Sequence, residues 1–196
     1  MHETINYYNT NAEQFVAETR DVDFSKVRNK FLAYLFDNAK LLDFGCGSGR
    51  DTKAFLQMGY DVDALDGSVK MCKCTEEYTG IQVRNIFFQE FDERNKYDGI
   101  WACASLLHVS LEQMSDVFCR IAKALKKNGI VYMSFKYGDF CGIRKGRKFT
   151  DMNEYMLDGI LTEVNALILV EKWITSDVRT GRKDEKWMNV ILKRKM

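Results

Sequence analysis

Three glycines at alternate positions directly follow a run of apolar residues, in the stretch LLDFGCGSGRD at residues 41–51. Glycine lets the backbone turn sharply and lets a ligand approach without meeting a Cβ, so Gly45, Gly47 and Gly49 are candidate binding residues. A turn of this kind joins a buried strand to a helix whose first amides point at the ligand. The stretch therefore predicts a site for an adenosine-bearing cofactor, with Cys46 and Arg50 in the same turn.

Three kinds of cofactor compete for this turn. A phosphate-binding P-loop has four residues between its glycines, and lysine followed by serine or threonine after the last one. Neither feature is present, which excludes it. A nicotinamide or flavin fingerprint reads G-x-G-x-x-G, but here Gly49 comes one residue early and Arg50 stands in the place of the third glycine. A dehydrogenase-type nucleotide binder is thus a disfavoured alternative, and S-adenosylmethionine is the third candidate.

Two carboxylates favour S-adenosylmethionine, which carries a sulfonium, an ammonium and a carboxylate but no phosphate. Asp43 stands two residues before the first glycine, where it would attract a cation and repel a pyrophosphate. Asp66, in ALDGS, ends the next predicted strand and could accept both ribose hydroxyls. Gly67 and Ser68 follow it and complete the predicted ribose site.

Four motifs between about residues 40 and 137 resemble the class I S-adenosylmethionine-dependent methyltransferases. They are LLDFGCGSGRD, VDALDGS, YDGIWACASLLHV and IAKALKKNGIVYMSFKYGD. Among subfamilies the chain is similar to the small bacterial enzymes compared with tellurite-resistance methyltransferases. The resemblance implies an enzyme (EC 2.1.1.-) that uses S-adenosylmethionine and releases S-adenosylhomocysteine. It also implies an α/β fold: a three-layer, Rossmann-like arrangement whose mostly parallel twisted sheet ends in a C-terminal antiparallel hairpin.

The resemblance also assigns roles outside the glycine turn. Cys103 and Ala104, in the fourth-strand motif, would line the floor beneath the cofactor. The leading segment YYNTNAEQF would fold over the cofactor and bring Tyr7 or Tyr8 close, and Tyr8 is the predicted contact.

The chain departs from the family pattern at the adenine. After the third strand, where the family often has an acidic residue, this chain has Phe87, in NIFFQEF. Phe87 or Phe88 could stack on the adenine instead, and a backbone group or Gln89 could contact its edge.

The apolar spacing predicts which elements position these residues. Strands that alternate with helices predict a parallel sheet covered on both faces. The last two predicted strands, ALILVEKWITSDV and KWMNVILKR, are joined by RTGRKDE without a helix and so predict a hairpin. We expect one domain over residues 1–196, with a helical cap at 1–38, a cofactor-binding core at 40–137, and an acceptor-side loop, helix and hairpin at 138–196.

Several helix boundaries follow from capping and termination signals. The predicted helices extend over residues 24–39, with Tyr34 on the apolar face, and over 110–129, with a Ser110–Gln113 capping box and Gly129 as terminator. Another opens near Asp151. Ser48 and Asp51 are expected to cap the helix after the glycine turn, and Trp101 and Trp173 are expected in the core.

His108 is the candidate catalytic base. Methyl transfer is an in-line displacement, so a base is needed only where the acceptor must lose a proton. His108 follows the fourth strand, and its ordinary pKa of about 6.5 suits proton transfer near neutral pH. The alternative is a histidine that only bonds a nearby backbone group. Lys136, Tyr137 and Asp139 follow the fifth strand, where an acceptor could be held.

The basic segment IRKGRKF, with Arg144, Lys145, Arg147 and Lys148, is either an anion-binding lid or a solvated loop. The net charge of +1 indicates no broad nucleic-acid surface, and no apolar run is long enough to span a bilayer. A small-molecule acceptor is therefore expected. A tRNA methyltransferase, or a non-catalytic cofactor-binding sensor or partner subunit, remains an alternative.

The two histidines and the Cys72-x-Cys74 spacing predict no metal site. The six cysteines are expected to be reduced thiols in a cytoplasmic protein, since the N-terminus lacks the basic and apolar regions of a signal peptide. The oligomeric state does not follow from the sequence.

Overall fold

The computed structural model describes residues 2–179 and 181–196. Met1, where the predicted cap begins, and Thr180, within RTGRKDE, lie outside the described residues. The described ranges form seven α-helices and nine β-strands. In chain order the elements are α1 (His2–Thr10), α2 (Ala12–Thr19), α3 (Ser25–Leu32), β1 (Lys40–Phe44), α4 (Arg50–Gln57), β2 (Asp61–Asp66), α5 (Val69–Thr79), β3 (Val83–Asn85), β4 (Tyr97–Ala102), α6 (Leu111–Ala124), β5 (Leu125–Lys136), β6 (Cys141–Arg144), β7 (Arg147–Thr150), α7 (Glu154–Val164), β8 (Leu167–Ser176) and β9 (Lys186–Arg194).

Seven strands form the main sheet in the order β3-β2-β1-β4-β5-β9-β8. The pairs from β3 to β5 are parallel, while β9 is antiparallel to both β5 and β8. This confirms the mostly parallel sheet and the C-terminal hairpin. Because β1, β2 and β4 are parallel neighbours, the residues that follow them meet at one edge of the sheet, where open α/β sheets bind ligands.

Helices cover both faces of the sheet and give the three layers that the sequence predicts. Leu42 and Phe44 on β1 pack with Phe118 of α6 and with α7 on one face. Leu41, which points to the other face, packs with Phe31 of α3 and with α4. This alternation along β1 is the two-residue period of a strand that is buried on both sides.

Helix α6 ends five residues earlier than predicted. Leu125 is already extended (φ −64°, ψ 144°) and pairs with Tyr97 of β4, so the chain leaves the helix to join the sheet. Gly129 lies within β5 and terminates nothing. The capping box is also absent at the N-terminus of α6, since Ser110 makes no side-chain bond to the helix backbone and its hydroxyl contacts the Gln113 side chain instead.

The other helix boundaries shift for local reasons. The helix predicted over 24–39 ends at Leu32, which leaves Tyr34 41% exposed instead of in the core. Helix α7 begins after Asn153, whose side chain accepts from the Met156 amide, while Asp151 pairs with Arg144. Within the predicted helical cap, two short helices, α1 and α2, precede α3.

The basic segment after β5 forms a two-stranded hairpin, β6–β7, where a loop was predicted. Lys145 and Gly146 connect the strands, with φ of 49° and 74°. Two positive φ values in a two-residue connection are the requirement of the tight turn that matches strand twist. The hairpin holds its basic side chains in fixed positions beside α1.

In the described ranges, no helix combines the length and the apolar character needed to cross a membrane.

We expect Phe118→Ala to lower the free energy of unfolding by about 3–5 kcal/mol, because Phe118 is fully buried between α6 and the sheet. The control is Leu111→Ala on the same helix, where the side chain is 39% exposed and the loss should stay within about 1 kcal/mol. Urea unfolding of both variants measures this. Equal losses would contradict the packing described.

Candidate functional site

A cavity opens at the carboxyl-end edge of the sheet, between the glycine turn, α1 and the C-terminal hairpin. Most of the predicted site residues line it. They are Tyr8, Asp43, Gly45, Cys46, Gly47, Arg50, Asp66, Gly67, Phe87, Phe88, Cys103, Ala104 and His108. Segments far apart in the chain thus form one site.

The first two glycines are required by the space around the turn. Gly45 has φ +90°, and a Cβ there would lie 2.4 Å from the Ser105 Cβ. Gly47 has φ +53° and faces the Phe15 ring. The amides of Gly45 and Cys46 donate to the Leu65 carbonyl, which ties the turn to β2. A side chain at Gly45 would therefore displace the turn itself.

Gly49 and Ser68 have structural roles that differ from the predicted ones, because neither lines the cavity. Gly49, with φ +78°, is the N-cap of α4, and a Cβ there would lie 3.1 Å from Thr75 on α5. Ser68 caps α5 by accepting from the Met71 amide, and it donates to Asn9 of α1. Both residues bring helices close to the turn.

Asp51 anchors the turn to the core; the predicted Ser48–Asp51 cap of α4 is absent. Its carboxylate bonds to Arg28 at 2.8 Å, Arg50 at 2.6 Å and the Trp101 indole at 3.0 Å. Burial alone would raise the pKa of Asp51, but the charges and hydrogen bonds of Arg50 and Arg28 outweigh it and hold the pKa below its usual value. Asp51 is therefore ionised and neutralised.

Asp43 is a buried carboxylate without such neutralisation. The Thr52 hydroxyl donates to it at 2.5 Å, and none of the described residues places a cationic nitrogen within 4 Å. Burial, with the nearby charge of Asp51, raises the pKa of Asp43 to about 7. A cation in the cavity would stabilise the ionised form of Asp43 and so bind favourably beside it.

Asp66 ends β2 on the other side of the turn. Its two oxygens accept from the Gly47 amide at 3.0 Å and the Ser68 amide at 2.8 Å. Burial raises the pKa of Asp66 while these two amides oppose the rise. Since a carboxylate has about four acceptor positions, Asp66 keeps capacity for two further donors, such as a pair of hydroxyls.

Tyr8 and His108, for which the sequence predicts separate roles, form one hydrogen-bonded pair. The Nδ1 atom of His108 lies 2.6 Å from the Lys148 carbonyl, which can only accept, so Nδ1 carries the proton. Nε2 is therefore the acceptor of the Tyr8 hydroxyl at 2.8 Å. Burial lowers the pKa of His108 to about 4, so the ring is neutral near pH 7. His108 thus bonds a backbone group, as one alternative predicts, and it also lines the cavity, where its role as a base stays a prediction.

The aromatic pair after β3 lies on the opposite wall. Phe88 stacks on Phe44 with ring centroids 4.5 Å apart, and Phe87 lies against Gly67. The Gln89 amide donates to Gln113 at 3.0 Å and does not line the cavity, so it is not placed to contact a ligand.

Lys136, which is the last residue of β5 and was predicted to follow it, lines the cavity, pairs with Glu185 and lies over the Trp187 ring. Tyr137 and Asp139 do not line it, and the Tyr137 hydroxyl donates to Glu154. Of the four basic hairpin residues only Arg147 is part of the wall.

The sequence predicts that both ends of the chain shape the site, but it does not single out most of the residues there that line the cavity. These residues include Thr4, Ile5, Phe15, Phe24, Phe149, Asp177, Arg179, Trp187 and Asn189. One signal was present: Asn189 is a polar residue within the apolar run of the last strand. It is buried, and its side chain accepts from the Tyr132 hydroxyl at 2.7 Å. In the part of the chain that the structure describes, no group of three His, Cys, Asp or Glu side chains is placed to hold a metal ion.

Residues 42–131 match a family model described as a methyltransferase domain. Phosphoethanolamine N-methyltransferase of Plasmodium falciparum is 27% identical over 156 residues, which is 75% of this chain and 54% of that protein. Ubiquinone biosynthesis O-methyltransferase of Rhodopseudomonas palustris is 25% identical over 112 residues, which is 55% of this chain and 44% of that protein. The chain thus spans about half the length of these curated relatives.

Solved structures share the fold at low identity. The 1,6-didemethyltoxoflavin-N1-methyltransferase of Burkholderia thailandensis, solved with 1,6-didemethyltoxoflavin and S-adenosylhomocysteine, superposes with a TM-score of 0.80 at 18% identity. The match covers 100% of this chain and 88% of that chain. The N-methyltransferase NodS of Bradyrhizobium japonicum, in complex with S-adenosylhomocysteine, has a TM-score of 0.72 at 16% identity and coverage of 95% and 97%.

We expect Asp51→Asn to lower the free energy of unfolding by about 3–5 kcal/mol, because it leaves Arg28 and Arg50 buried without their carboxylate. Asp61→Asn is the control, since the Asp61 side chain is 67% exposed in its pair with Lys40 and should contribute about 1 kcal/mol or less. Chemical unfolding at pH 7 distinguishes the two sites. A loss below about 1 kcal/mol for Asp51→Asn would contradict the anchoring role.

Proposed function

We propose that this chain is a class I S-adenosylmethionine-dependent methyltransferase (EC 2.1.1.-) that transfers a methyl group to a small-molecule acceptor. The methyltransferase-domain model at residues 42–131 and the fold shared with the structural neighbours support the class resemblance that the sequence motifs carry. The narrower similarity to tellurite-resistance enzymes stays a prediction.

One observation carries the proposal. Asp43 is a buried carboxylate and Asp66 a half-buried one, they lie on the two sides of the glycine turn, and within the described residues neither has a cation within 4 Å. Buried charges need a partner, and a ligand with a cationic end and a hydroxylated sugar would supply one to each. A pyrophosphate at the glycine turn would meet Asp43 as a like charge, which counts against a dinucleotide.

The residues in place fit S-adenosylmethionine part by part. Asp66 would accept the ribose hydroxyls, Asp43 would balance the cationic end, and Phe87 and Phe88 would provide aromatic faces for the adenine. Cys103 and Ala104 form the floor between them. Two structural neighbours are complexes with S-adenosylhomocysteine, the demethylated product, which supports the same choice of cofactor.

The bound cofactor supplies an electrophilic methyl group for in-line displacement, so the protein contributes chiefly position. Orientation of reacting groups can supply about 7–11 kcal/mol of the barrier reduction. The glycine turn, Asp43 and Asp66 would fix one partner. Helix α1, the β6–β7 hairpin and the C-terminal hairpin would enclose the other and exclude water.

The Tyr8–His108 pair would receive a proton where the acceptor must release one. Nε2 of His108 holds a lone pair toward the Tyr8 hydroxyl, while the Lys148 carbonyl fixes the tautomer. A proton taken by the Tyr8 oxygen can be balanced by passage of the Tyr8 proton to Nε2. His108 is thus proposed as the base, with Tyr8 as the group that faces the acceptor.

We also place the protein in the cytoplasm and treat residues 1–196 as one domain. All six cysteines are free thiols, which fits a reducing compartment. Residues from both chain ends line the same cavity as the core motifs, which fits a single unit.

We expect Asp66→Asn to weaken S-adenosylhomocysteine binding about tenfold or more, because hydrogen bonds to a charged carboxylate are worth about 1.5–3 kcal/mol each. Isothermal titration calorimetry measures this. Asp63→Asn, on the same strand but bonded to Lys40 and Tyr97 outside the cavity, should bind as wild type. Unchanged affinity in Asp66→Asn, with its thermal unfolding intact, would remove the site assignment.

Burial lowers the pKa of His108 from about 6.5 to about 4, so the ring stays neutral and able to accept a proton at higher pH. We therefore expect kcat at saturating cofactor to fall on the acid side only as the pH approaches about 4, where His108 becomes protonated. With an acceptor that must lose a proton, His108→Gln should reduce kcat about 100-fold or more, because glutamine keeps a donor and an acceptor but cannot take the proton. Stopped assays of released S-adenosylhomocysteine from pH 4 to 8 measure both. A wild-type acid limb near 6.5, or an undiminished His108→Gln, would contradict the role.

A further inference from the structure

The cationic side chains that line the cavity differ in one respect. Four of them have a carboxylate within 4 Å. The pairs are Arg50 with Asp51, Lys136 with Glu185, Arg179 with Asp177 and Arg182 with Glu185. Arg147 also lines the cavity, but across residues 2–179 and 181–196 no carboxylate oxygen lies within 4 Å of its guanidinium.

The surroundings of Arg147 hold it in place without neutralising it. Its guanidinium carbon lies 4.4 Å from the Tyr7 ring centroid and 5.2 Å from that of Phe149. One terminal nitrogen donates to the Tyr8 hydroxyl at 3.3 Å. The Nε atom is inaccessible to solvent and has no partner among the described atoms. Cation–aromatic contacts stabilise a guanidinium by about 0.5–2 kcal/mol but do not cancel its charge.

The hairpin fixes this position from the backbone. The next residue, Lys148, donates its amide to the Thr4 hydroxyl of α1 at 2.9 Å and accepts from His108 through its carbonyl. The neighbouring basic residue Arg144 pairs instead with Asp151. The hairpin therefore delivers a single unneutralised guanidinium to the cavity, directly beside the Tyr8–His108 pair.

The carboxylates of the cavity wall are already accounted for. Asp51 and Asp177 are bonded to arginines, while Asp43 and Asp66 flank the glycine turn, where the proposed cofactor binds. An arginine always carries its charge and presents donors that match a carboxylate or phosphate. Arg147 is half-buried and has no carboxylate partner among the described residues, so an anionic ligand in the cavity would gain a charge-assisted contact there.

We propose that the methyl acceptor is an anionic small molecule, and that Arg147 binds its carboxylate or phosphate group beside the Tyr8–His108 pair. The assignment of this anion as the acceptor rests on the proposed function. The guanidinium then selects the acceptor and sets its distance from the base, and the neutral His108 avoids a second positive charge next to it.

The test uses calorimetry on the full-length protein saturated with S-adenosylhomocysteine, titrated with inorganic phosphate and, separately, with acetate. Wild type should bind at least one of these anions, and the stronger of the two indicates whether the acceptor carries phosphate or carboxylate. Arg147→Gln should weaken that binding about tenfold or more. Lys145→Gln, which removes a charge from the same hairpin outside the cavity, should match wild type.

A turnover assay with charged and uncharged acceptors is the second test of the proposal. With paired aromatic acceptors such as 4-hydroxybenzoate and 4-hydroxybenzamide, wild type should favour the charged member about tenfold or more in kcat/KM, and Arg147→Gln should lose that preference. The anion titration measures the heat of binding and requires no turnover, so its result does not depend on the proposed methyltransferase activity. Failure to bind S-adenosylhomocysteine would overturn the proposed function instead.

Three results would overturn the anionic acceptor. Wild type could bind neither anion. Arg147→Gln could bind S-adenosylhomocysteine about tenfold more weakly, which would indicate that the guanidinium binds the carboxylate of the cofactor. Transfer RNA could displace phosphate from wild type and bind Arg147→Gln about tenfold more weakly than wild type, which would assign the site to a nucleic-acid backbone.

Discussion

The site depends on two carboxylates, one buried and one half-buried, that the fold holds at one edge of the sheet with no cationic nitrogen of the described residues within 4 Å. Parallel pairing sets Asp43 opposite Ala64 of β2, two residues before Asp66 ends the same strand. The glycine turn then passes between the two aspartates, and the Gly47 amide donates to Asp66. Neither carboxylate has a cation of the described residues to balance its ionised form, so the arrangement favours a ligand that carries positive charge and sugar hydroxyls.

Asp51, in the same glycine-turn region, is a buried carboxylate whose negative charge is balanced by arginines. It lies one residue beyond Arg50 and is bonded to two arginines and an indole, so its pKa stays low. Asp43, eight residues earlier in the chain, has one hydroxyl partner and a pKa raised by burial to about 7. The difference between the two carboxylates separates an anchor of the fold from a group that is free to bind.

Much of the cofactor side could be predicted from the sequence because its signals are local. Glycines at a strand end, Asp43 before them and Asp66 at the next strand end all act within their own elements. The remaining features depend on contacts between distant parts of the chain. The Tyr8–His108 bond joins residues 100 positions apart, and α6 ends where Leu125 meets β4, which no capping residue announces. Part of the cavity wall is formed by residues near both chain ends, where no periodic sequence pattern marks a ligand contact.

The central claim is that this edge of the sheet binds a cationic, phosphate-free adenosyl cofactor. Parallel calorimetric titrations of the wild-type protein with S-adenosylmethionine and with NADH test it most directly. The account predicts saturable binding of S-adenosylmethionine with one equivalent per chain and no saturable binding of NADH. Saturable binding of NADH, with none of S-adenosylmethionine, would contradict it.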